Sequence, residues 1–307
     1  MTEVFEVEAG DVSSRLCPLV LYMEGCATQQ EMNANVLATI ERGYVRFNEF
    51  IDQYHGRISI VGSGPSLDDT YVDLTGDILA INHALKFLLE QNIIPKFAMI
   101  WDADPICEQF AIPHKDITYL IGARCHPKVF ERLQGCQVIV WHAGGDHNIN
   151  DFLLEHNIQE PMINGGSAGI TRAMYLAVAL GYKDLHLYGA DSSYSADGKT
   201  HVNGSLVKEK DFMVSIGKDQ PVFFRTTPEW CSQVNEFRDI YSIFRHPNCD
   251  IAITTHGDGM LPYMASLMKK KDEEGLLWMK DGQPHPSNVA TQYSQPLEEI
   301  EHANASE

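Results

Sequence analysis

The sequence predicts an α/β fold in which a mostly parallel sheet carries helices on both faces. Short runs of β-branched and aromatic residues alternate along the 307-residue chain with longer segments of helical periodicity. Each run is apolar throughout rather than alternately apolar and polar, which is typical of strands buried on both faces. With 44% hydrophobic residues, the chain can also bury one large core.

Seven apolar runs are the predicted strands, at 57–61, 77–81, 97–101, 117–121, 137–141, 184–188 and 250–254. Predicted helices lie between them, at 83–91, 127–133, 150–157, 168–181 and 230–244. The near-helical spacing of apolar residues at 29–54 indicates a helical lead-in before the first strand. The weakly patterned stretch 192–228 is long enough to form a lid over a binding site.

These patterns divide the chain into three parts. The N-terminal lead-in with its helix covers residues 1–55, and the strands with their intervening helices form one α/β domain at 56–268. From residue 269 onward, periodicity gives way to Pro, Gln, Ser and acidic residues. We therefore expect residues 269–307 to form a mobile tail.

The formal net charge of −19 bears on partners and location. Sequence-independent nucleic-acid binding depends on Lys and Arg side chains that neutralise phosphates, so we expect no extended nucleic-acid surface. Attraction to anionic lipid is disfavoured for the same reason.

The longest apolar runs are shorter than the roughly 20 residues that a membrane helix needs, and no signal pattern begins the chain. The seven cysteines show no C-x-x-C pair, so the sequence indicates neither a zinc module nor a dense disulfide framework. We expect a cytoplasmic protein without a membrane partner.

A glycine-rich segment follows the strand 57–61, at the edge where open parallel sheets bind ligands. It reads Gly62-Ser63-Gly64-Pro65-Ser66. Glycines let the backbone approach an anion closely, proline opens a helix without losing a hydrogen bond, and the serine offers a hydroxyl group. This composition suits a phosphate-binding loop, although it matches neither G-x-G-x-x-G nor the P-loop. A plain strand-to-helix turn is the alternative.

A second small-residue segment, Gly165-Gly166-Ser167, precedes the helix predicted at 168–181. The first turn of a helix carries unpaired amides and the positive end of its dipole, which favour an anion. We expect this segment and the first glycine loop to face one anion. Asn82, which ends the strand 77–81, is a further polar residue at the same edge. A packing role for the small residues is the alternative.

Three aspartates follow predicted strands. Asp102 and Asp104 end the strand 97–101 and are spaced to reach one side of a loop, where their oxygens suit Mg²⁺ or Mn²⁺ shared with a diphosphate. Asp191 follows the strand 184–188 and suits a metal, a ribose hydroxyl group or the substrate. Capping of a turn is the alternative for all three.

His201 and His256 lie in polar, glycine-flanked loops. A histidine with a pKa of about 6.5 can deprotonate a hydroxyl group at neutral pH, so each is a candidate base. Lys199, Arg172 and Arg225 are candidates for balancing phosphate charge. A place on a solvated surface is the alternative for all five side chains.

Three blocks of sequence resemble a known family. They read VGSGPSLDD at 61–69, INHALKFLLEQNIIPKFAMIWDADP at 81–105 and GGSAGITRAMYLAVALGYKDLHLYGADSSY at 165–194. Over roughly residues 30–260 the chain resembles the archaeal 6-hydroxymethylpterin diphosphokinase-like domain family, which includes the flagellin-modifying motility accessory factors. The resemblance implies a Rossmann-like nucleotide-binding domain. Its pterin member implies transfer of a diphosphate from ATP to a hydroxymethyl group with Mg²⁺.

The same blocks are similar to the bacterial sialyltransferases, whose G-x-G-P-S loop, strand-end asparagine and Ser-Gly segment hold the nucleotide of a sugar donor. The likeness assigns nucleotide binding to Gly62, Gly64, Pro65, Ser66, Asn82, Gly166 and Ser167. It matches Asp191 to the aspartate that ends a strand. The catalytic histidine of the sialyltransferases has no secure counterpart, so His201 and His256 both stay candidates, and their basic tail is absent.

Together these observations predict a Mg²⁺-assisted transferase that passes a diphosphoryl group from a nucleotide to a small hydroxyl acceptor, and the family resemblance implies ATP as the donor and an acceptor of the pterin type. The residues expected to act in catalysis are Asp102, Asp104, Asp191 and His201, with the metal held by the first two. A nucleotide-sugar glycosyltransferase and a nucleotide-binding module without catalysis are the alternatives. The expected partners are the nucleotide and the hydroxyl acceptor, and an oligomer is compatible with the sequence.

Overall fold

The computed structural model describes residues 4–7, 27–144, 147–202, 204, 211–217, 220–249 and 251–278. Its strands are β1 (Val4–Val7), β2 (Val45–Arg46), β3 (Arg57–Val61), β4 (Asp77–Ile81), β5 (Phe97–Ile100), β6 (Thr118–Gly122), β7 (Gln137–Ala143), β8 (Met162–Ile163), β9 (Asp184–Tyr188), β10 (Phe212–Ile216), β11 (Val222–Thr226) and β12 (Ala252–Thr255). Its α-helices are α1 (Gln29–Glu41), α2 (Leu67–Thr70), α3 (His83–Glu90), α4 (Pro127–Arg132), α5 (His147–Glu155), α6 (Gly169–Leu180), α7 (Pro228–Phe244) and α8 (Met260–Glu273). Short 3-10 helices lie at Phe47–Phe50, Tyr71–Asp73 and Pro105–Phe110.

The main sheet runs in the order β12-β9-β3-β4-β5-β6-β7-β2, and every neighbouring pair is parallel. β8 pairs in parallel with the end of β7. A helix or 3-10 helix connects each consecutive pair from β3 to β7, because parallel strands need a crossover connection. The predicted Rossmann-like sheet with helices on both faces is confirmed.

The chain order reverses beside β3. Strands β4 to β7 follow one another on one side of β3, whereas β9 and β12 are added on its other side. Ligands of open α/β sheets bind where the order reverses, beyond the carboxyl ends of the strands. In this chain, that point is formed by residues 62–66 after β3 and residues 189–191 after β9.

The central strands contribute side chains to two apolar layers, because successive residues of a strand point to opposite faces of the sheet. Leu79 of β4 belongs to the layer formed with α6, α7 and α8. Its neighbour Ala80 belongs to the layer formed with α1, α3, α4 and α5. Both residues are completely buried. Helices on both faces therefore explain why these strands are apolar throughout.

The segment 192–228, predicted as a lid, contains two strands that the sequence pattern did not reveal. β10 pairs antiparallel with β11 and parallel with β1, which gives a separate three-stranded sheet. β11 is an edge strand and exposes Val222 and Phe223, so its pattern lacks the continuous burial of the main strands. Residues 203, 205–210 and 218–219 of this segment lie outside the described residues. The lid function stays a prediction.

The N-terminal lead-in is only partly helical. α1 ends at Glu41, and Gly43 then turns the chain with a positive φ of 66°. β2 follows and adds an edge strand to the main sheet beside β7. A helix over the whole of 29–54 is therefore too long, because the glycine ends the helix and the following residues pair with a strand.

The predicted tail begins inside a helix. Residues 269–273 belong to α8, which the sequence pattern did not single out. Beyond α8, Leu277 is buried and Nε1 of Trp278 donates a hydrogen bond to the Ser242 carbonyl oxygen at 2.9 Å. Residues 279–307, the rest of the predicted mobile tail, lie outside the described residues. In the part of the chain that the structure describes, no helix combines the length and apolar character needed to cross a membrane.

Candidate functional site

A cleft lies at the carboxyl edge of the main sheet, where β3, β4 and β9 end. Its volume is about 230 Å³. Residues 62–64 line one side, and residues 168–170 at the start of α6 line another. Gly169 and Ile170 lie in the first turn of α6, where backbone amides have no acceptor within the helix. The cleft therefore combines the end of a strand with the electropositive start of a helix.

The glycines after β3 let this strand approach β9 closely. A Cβ atom on Gly62 would lie 2.5 Å from the carbonyl oxygen of Gly189, and one on Gly64 would lie 2.1 Å from Oδ2 of Asp191. Neither position has room for a side chain. The amides of Gly62 and Gly64 donate hydrogen bonds to the carbonyl oxygens of Tyr188 and Gly189, at 2.9 and 2.8 Å. Packing of two strand ends is thus one reason for the glycines.

Asp191 is a buried carboxylic acid at this edge. Only 3% of the residue is exposed, and its Oδ2 accepts a hydrogen bond from the Ser66 amide at 3.1 Å. Its Oδ1 is buried and has no hydrogen-bond partner among the described residues. Burial, together with the charge of Asp258, raises the pKa of Asp191 to about 6, against the lowering effect of the neighbouring Ser66. Asp191 lines the cleft, whereas Pro65 and Ser66 do not.

Two other residues of the cleft hold unusual backbone conformations. Asn82 has φ 47° and ψ −115°, and Ser192 has a φ of 52°. Positive φ is uncommon for residues other than glycine. Asn82 precedes α3 but its side chain makes no capping hydrogen bond. Oδ1 of Asn82 and Oγ of Ser192 are buried without a partner in the described part of the chain. Backbone strain and unsatisfied polar atoms concentrate at functional sites.

His201 also lines the cleft. Its Nδ1 lies 3.0 Å from Oγ1 of Thr200. The next residue, Val202, donates its amide to the carbonyl oxygen of Ser63 at 2.9 Å, which holds the histidine loop against the glycine loop. Burial, followed by the charge of His83, lowers the pKa of His201. Burial therefore favours the neutral form of the imidazole.

The other candidate base and two candidate cations lie away from the cleft. The ring of His256 stacks on Tyr188 with 3.9 Å between centroids, and its Nε2 lies 3.0 Å from Nδ1 of His186. His256 lines neither cavity. The two cations are engaged in ion pairs, Lys199 with Asp197 and Arg225 with Asp211.

A second cavity, of about 360 Å³, lies further along the same edge of the sheet. Gly165, Gly166 and Ser167 line it, together with Arg172 of α6. Ser167 and the next residue, Ala168, line different cavities, so the second cavity adjoins the cleft. The two small-residue segments expected to face one anion thus line neighbouring cavities rather than a shared one.

The carboxylate of Glu236 occupies the start of α6. It accepts hydrogen bonds from the amide and the hydroxyl group of Ser167, at 2.7 and 3.1 Å, and from the hydroxyl group of Thr171 at 2.6 Å. A negative charge is favourable at the N-terminal end of a helix. Sequence reasoning missed Glu236, because it lies 69 residues from Ser167, in the middle of α7, without a local signal.

Asp102 and Asp104 cap the turn after β5. Oδ1 of Asp102 accepts the Asp104 amide at 3.2 Å, and Oδ1 of Asp104 accepts the Ile106 amide at 2.9 Å, at the start of a 3-10 helix. Neither aspartate lines the cleft or the second cavity. Across the described residues, no group of three or more His, Cys, Asp or Glu side chains is arranged to hold a metal ion. As placed, these two carboxylates do not fit a metal shared with a ligand of the cleft.

Comparison with known proteins identifies a family that matches the chain and a solved structure with a similar fold. A family model described as 6-hydroxymethylpterin diphosphokinase MptE-like matches residues 34–197, more than half of the chain. No curated protein matches the chain. Among solved structures, the chain is similar to the MAf glycosyltransferase from Magnetospirillum magneticum AMB-1, with a TM-score of 0.54 and 18% sequence identity. The similarity covers 82% of this chain and 43% of that chain, and at this identity it is evidence for the fold alone.

The raised pKa of Asp191 predicts a pH-dependent stability. From about pH 4 to about pH 6, the folded chain holds a proton on Asp191 that the unfolded chain releases. The free energy of unfolding therefore falls as the pH rises through this window. A shift of about two pKa units corresponds to about 3 kcal/mol. Asparagine has no charge to bury. Between pH 4 and pH 7, we therefore expect the free energy of unfolding of Asp191→Asn to rise by up to about 3 kcal/mol relative to that of the native protein.

Urea denaturation at pH 4 and pH 7 measures this gain. Asp151→Asn, which removes an exposed carboxyl group from α5, is the control and should differ from the native protein equally at both pH values. The same constant difference for Asp191→Asn would contradict the burial of its carboxyl group as the cause of the shift.

Proposed function

Since the chain belongs to the 6-hydroxymethylpterin diphosphokinase MptE-like family, we propose that it is a nucleotide-dependent transferase that binds its donor in the cleft. The family resemblance inferred from the three sequence blocks is confirmed, and membership of this family supports a transferase activity. One observation in particular supports a nucleotide site in this cleft. Asn82, Asp191 and Ser192 bring buried, unsatisfied polar atoms to a single cleft, at the point where the strand order reverses.

The two sides of the cleft offer different chemistry. The amides of Gly169 and Ile170 at the start of α6 suit phosphate oxygens, because they are donors without helical acceptors, whereas the Glu236 carboxylate pairs with Ser167 and Thr171. Asn82 and Ser192 present oxygen atoms, which suit the hydroxyl and amino groups of a nucleoside. We therefore propose that the phosphates bind against α6 and the nucleoside against Asn82 and Ser192.

The proposed reaction is transfer of a diphosphoryl group from ATP to the hydroxyl group of a hydroxymethyl acceptor of the pterin type. The acceptor oxygen bonds to the β-phosphorus, the bond from that phosphorus to the α-phosphate oxygen breaks, and AMP leaves. Magnesium, when bound, supplies neutralisation of the phosphate charge in such a transfer. Asp191 fits a magnesium ion better than Asp102 or Asp104, because it lines the cleft and its Oδ1 has no partner among the described residues. Proteins often hold magnesium with one or two carboxylates together with substrate phosphates.

His201 is the residue proposed to take the proton of the acceptor hydroxyl group. It lines the cleft, and its lowered pKa keeps the imidazole neutral and able to accept a proton at pH 7. The contact of Nδ1 with Thr200 leaves Nε2 as the nitrogen that receives the proton. His256 has no comparable position, because it is stacked on Tyr188 outside the cleft.

A nucleotide-sugar glycosyltransferase is the second candidate function. The sequence likeness of residues 62–66 and Asn82 to the sialyltransferase nucleotide loop favours it, and the fold is similar to that of the MAf glycosyltransferase. The chain spans less than half of that protein, so its activity is carried over here only as a proposal. A nucleotide-binding module without catalysis is the third candidate, since the cleft alone is sufficient for binding.

Thermal stabilisation by donors distinguishes these functions. A ligand that binds only the folded chain raises its Tm. We expect ATP with Mg²⁺ to raise the Tm and the rise to vanish when the metal is chelated, because the phosphates and Asp191 would share the ion. A rise with CMP-sugar or UDP-sugar that is indifferent to Mg²⁺ would favour the glycosyltransferase. Binding without turnover or hydrolysis of any donor would favour the module, and the absence of any shift would reject the nucleotide site.

Asn82→Gly tests the nucleotide site directly. The change removes the unsatisfied Oδ1 while relieving the positive φ, since glycine adopts it without strain. We expect affinity for the bound nucleotide to weaken about three- to tenfold, while the free energy of unfolding is unchanged or raised. Isothermal titration calorimetry and urea denaturation measure the two effects. Asn92→Gly relieves a φ of 60° at an exposed turn outside the cleft and should leave nucleotide affinity unchanged. Equal affinities in both variants would count against the site.

His201→Asn tests the proposed base. Loss of a general base typically lowers the rate by about 100-fold or more. We expect kcat with the donor identified by thermal stabilisation to fall by that factor, while the nucleotide Kd stays within about twofold. His256→Asn removes the other candidate histidine and serves as the control, with kcat close to native. The reverse pattern, with activity lost only in His256→Asn, would reject the assignment.

A further inference from the structure

The second cavity gathers positive charge next to the cleft. Resting on the proposed function, we infer that this cavity binds an anionic group, a carboxylate or a phosphate, of the substrates whose nucleotide lies in the cleft. The inference depends on Arg124, Arg172 and Trp101, which all line the cavity.

Arg172 is a buried cation. Only 6% of the residue is exposed, and its Nη1 donates to the carbonyl oxygens of Gly144 at 3.3 Å and Ile163 at 2.6 Å. Its Nε is buried and has no hydrogen-bond partner within the described ranges. Burial, followed by the charge of Arg124, lowers the pKa of Arg172 to about 10, so the side chain stays charged at neutral pH. A buried charge is costly unless an opposite charge balances it.

Arg124 brings a second cation to the same place. Its Nε donates to the Trp101 carbonyl oxygen at 3.1 Å, and its guanidinium carbon lies 4.2 Å from the centroid of the indole ring. The guanidinium carbon of Arg172 lies 5.0 Å from the same centroid. Gly122 allows this crowding, because a Cβ atom there would lie 3.0 Å from Cα of Trp101. The indole ring thus holds two guanidinium groups together by cation–π contacts at the ends of β5 and β6.

The Glu236 carboxylate also lines the cavity and acts to raise the pKa of Arg172, but a single carboxylate does not offset two guanidinium charges. Glu236 already accepts three hydrogen bonds from Ser167 and Thr171. In the described part of the chain, neither arginine forms an ion pair with a carboxylate. The positive cavity contrasts with the net charge of −19 of the whole chain. A bound anion would offset the repulsion between the guanidinium groups, whose forked N–H donors match carboxylate and phosphate oxygens.

The cavity is placed to hold a group that takes part in the same reaction. Ser167 lines it and Ala168 lines the cleft, so ligands of the two cavities would lie side by side. The anionic group can belong to the acceptor or to the far end of the donor's phosphate chain. Both sources present the same chemistry to the two arginines.

Arg124→Gln tests the inference, with Arg42→Gln as the matched control. Arg42 also lies over an aromatic ring, 5.6 Å from the Phe130 centroid, and donates to the Pro127 carbonyl oxygen, but it lines neither cavity. Inorganic pyrophosphate and malonate serve as phosphate and carboxylate probes in isothermal titration calorimetry. We expect Arg124→Gln to raise the Kd of at least one probe about tenfold or more, because a charged hydrogen-bond donor is lost. Arg42→Gln should leave the Kd values unchanged.

A second variant keeps the test valid if Arg124→Gln unfolds the chain. Met32 lines the cavity, and its Sδ lies 3.9 Å from Nη1 of Arg124. Met32→Glu therefore adds a carboxylate that competes for the arginine, and it should weaken the same probe while the Tm stays native or rises. Unchanged probe affinity in the folded variants, or no binding of either probe to the native protein, would overturn the inference.

Nucleotide titrations separate the two sources of the anion. If the donor's phosphate chain supplies the anion, Arg124→Gln lowers the affinity for ATP more than the affinity for AMP. If the acceptor supplies it, both nucleotides bind the variant as they bind the native protein, and the probe binds together with ATP. Either result supports the anion subsite. Asn82→Gly should keep native affinity for the probe, so a failure of the nucleotide cleft and a failure of the arginine cavity give different patterns.

Discussion

The close packing of β3 against β9 at their carboxyl ends is the constraint on which the site depends. Gly62 and Gly64 have no room for a Cβ atom, because the end of β9 and the Asp191 carboxylate fill that space. Gly259 continues the same contact, since a Cβ atom there would lie 2.5 Å from Cα of Asp191. Small residues thus enclose the carboxylic acid, and this enclosure both buries its charge and leaves the cleft open beside it.

Two carboxylates of the chain pair with backbone amides that the sequence pattern predicts to bind a ligand. Asp191 binds the amide of Ser66, and Glu236 binds the amide of Ser167. The buried amide of Ser66 needs a partner, and in both cases the fold supplies the carboxylate from a distant segment. The polar atoms that remain unsatisfied, among them Oδ1 of Asn82, are the ones proposed to bind the ligand. The architecture and the ligand site therefore use different atoms of the same loops.

The carboxyl edge of the sheet holds two adjoining cavities that differ in their charged side chains. The cleft contains the carboxyl group of Asp191, whereas the second cavity contains the guanidinium groups of Arg124 and Arg172. The start of α6 contributes to both, so one rigid helix fixes their relative position. A transferase must hold two substrates side by side in a defined orientation, and adjoining cavities on rigid elements serve that requirement.

Local sequence patterns were enough to predict the parallel sheet, the edge at which polar residues gather and the family. Continuous apolar runs and strand-end residues such as Asn82 and Asp191 are local signals, because burial on both faces and turn chemistry act on neighbours along the chain. Only the tertiary structure decided that Glu236 caps α6, that Asp102 and Asp104 cap a turn, and that β10 and β11 form a second sheet. The partners of Ser66 and Ser167 lie 125 and 69 residues away, and such contacts follow from packing rather than from any local pattern.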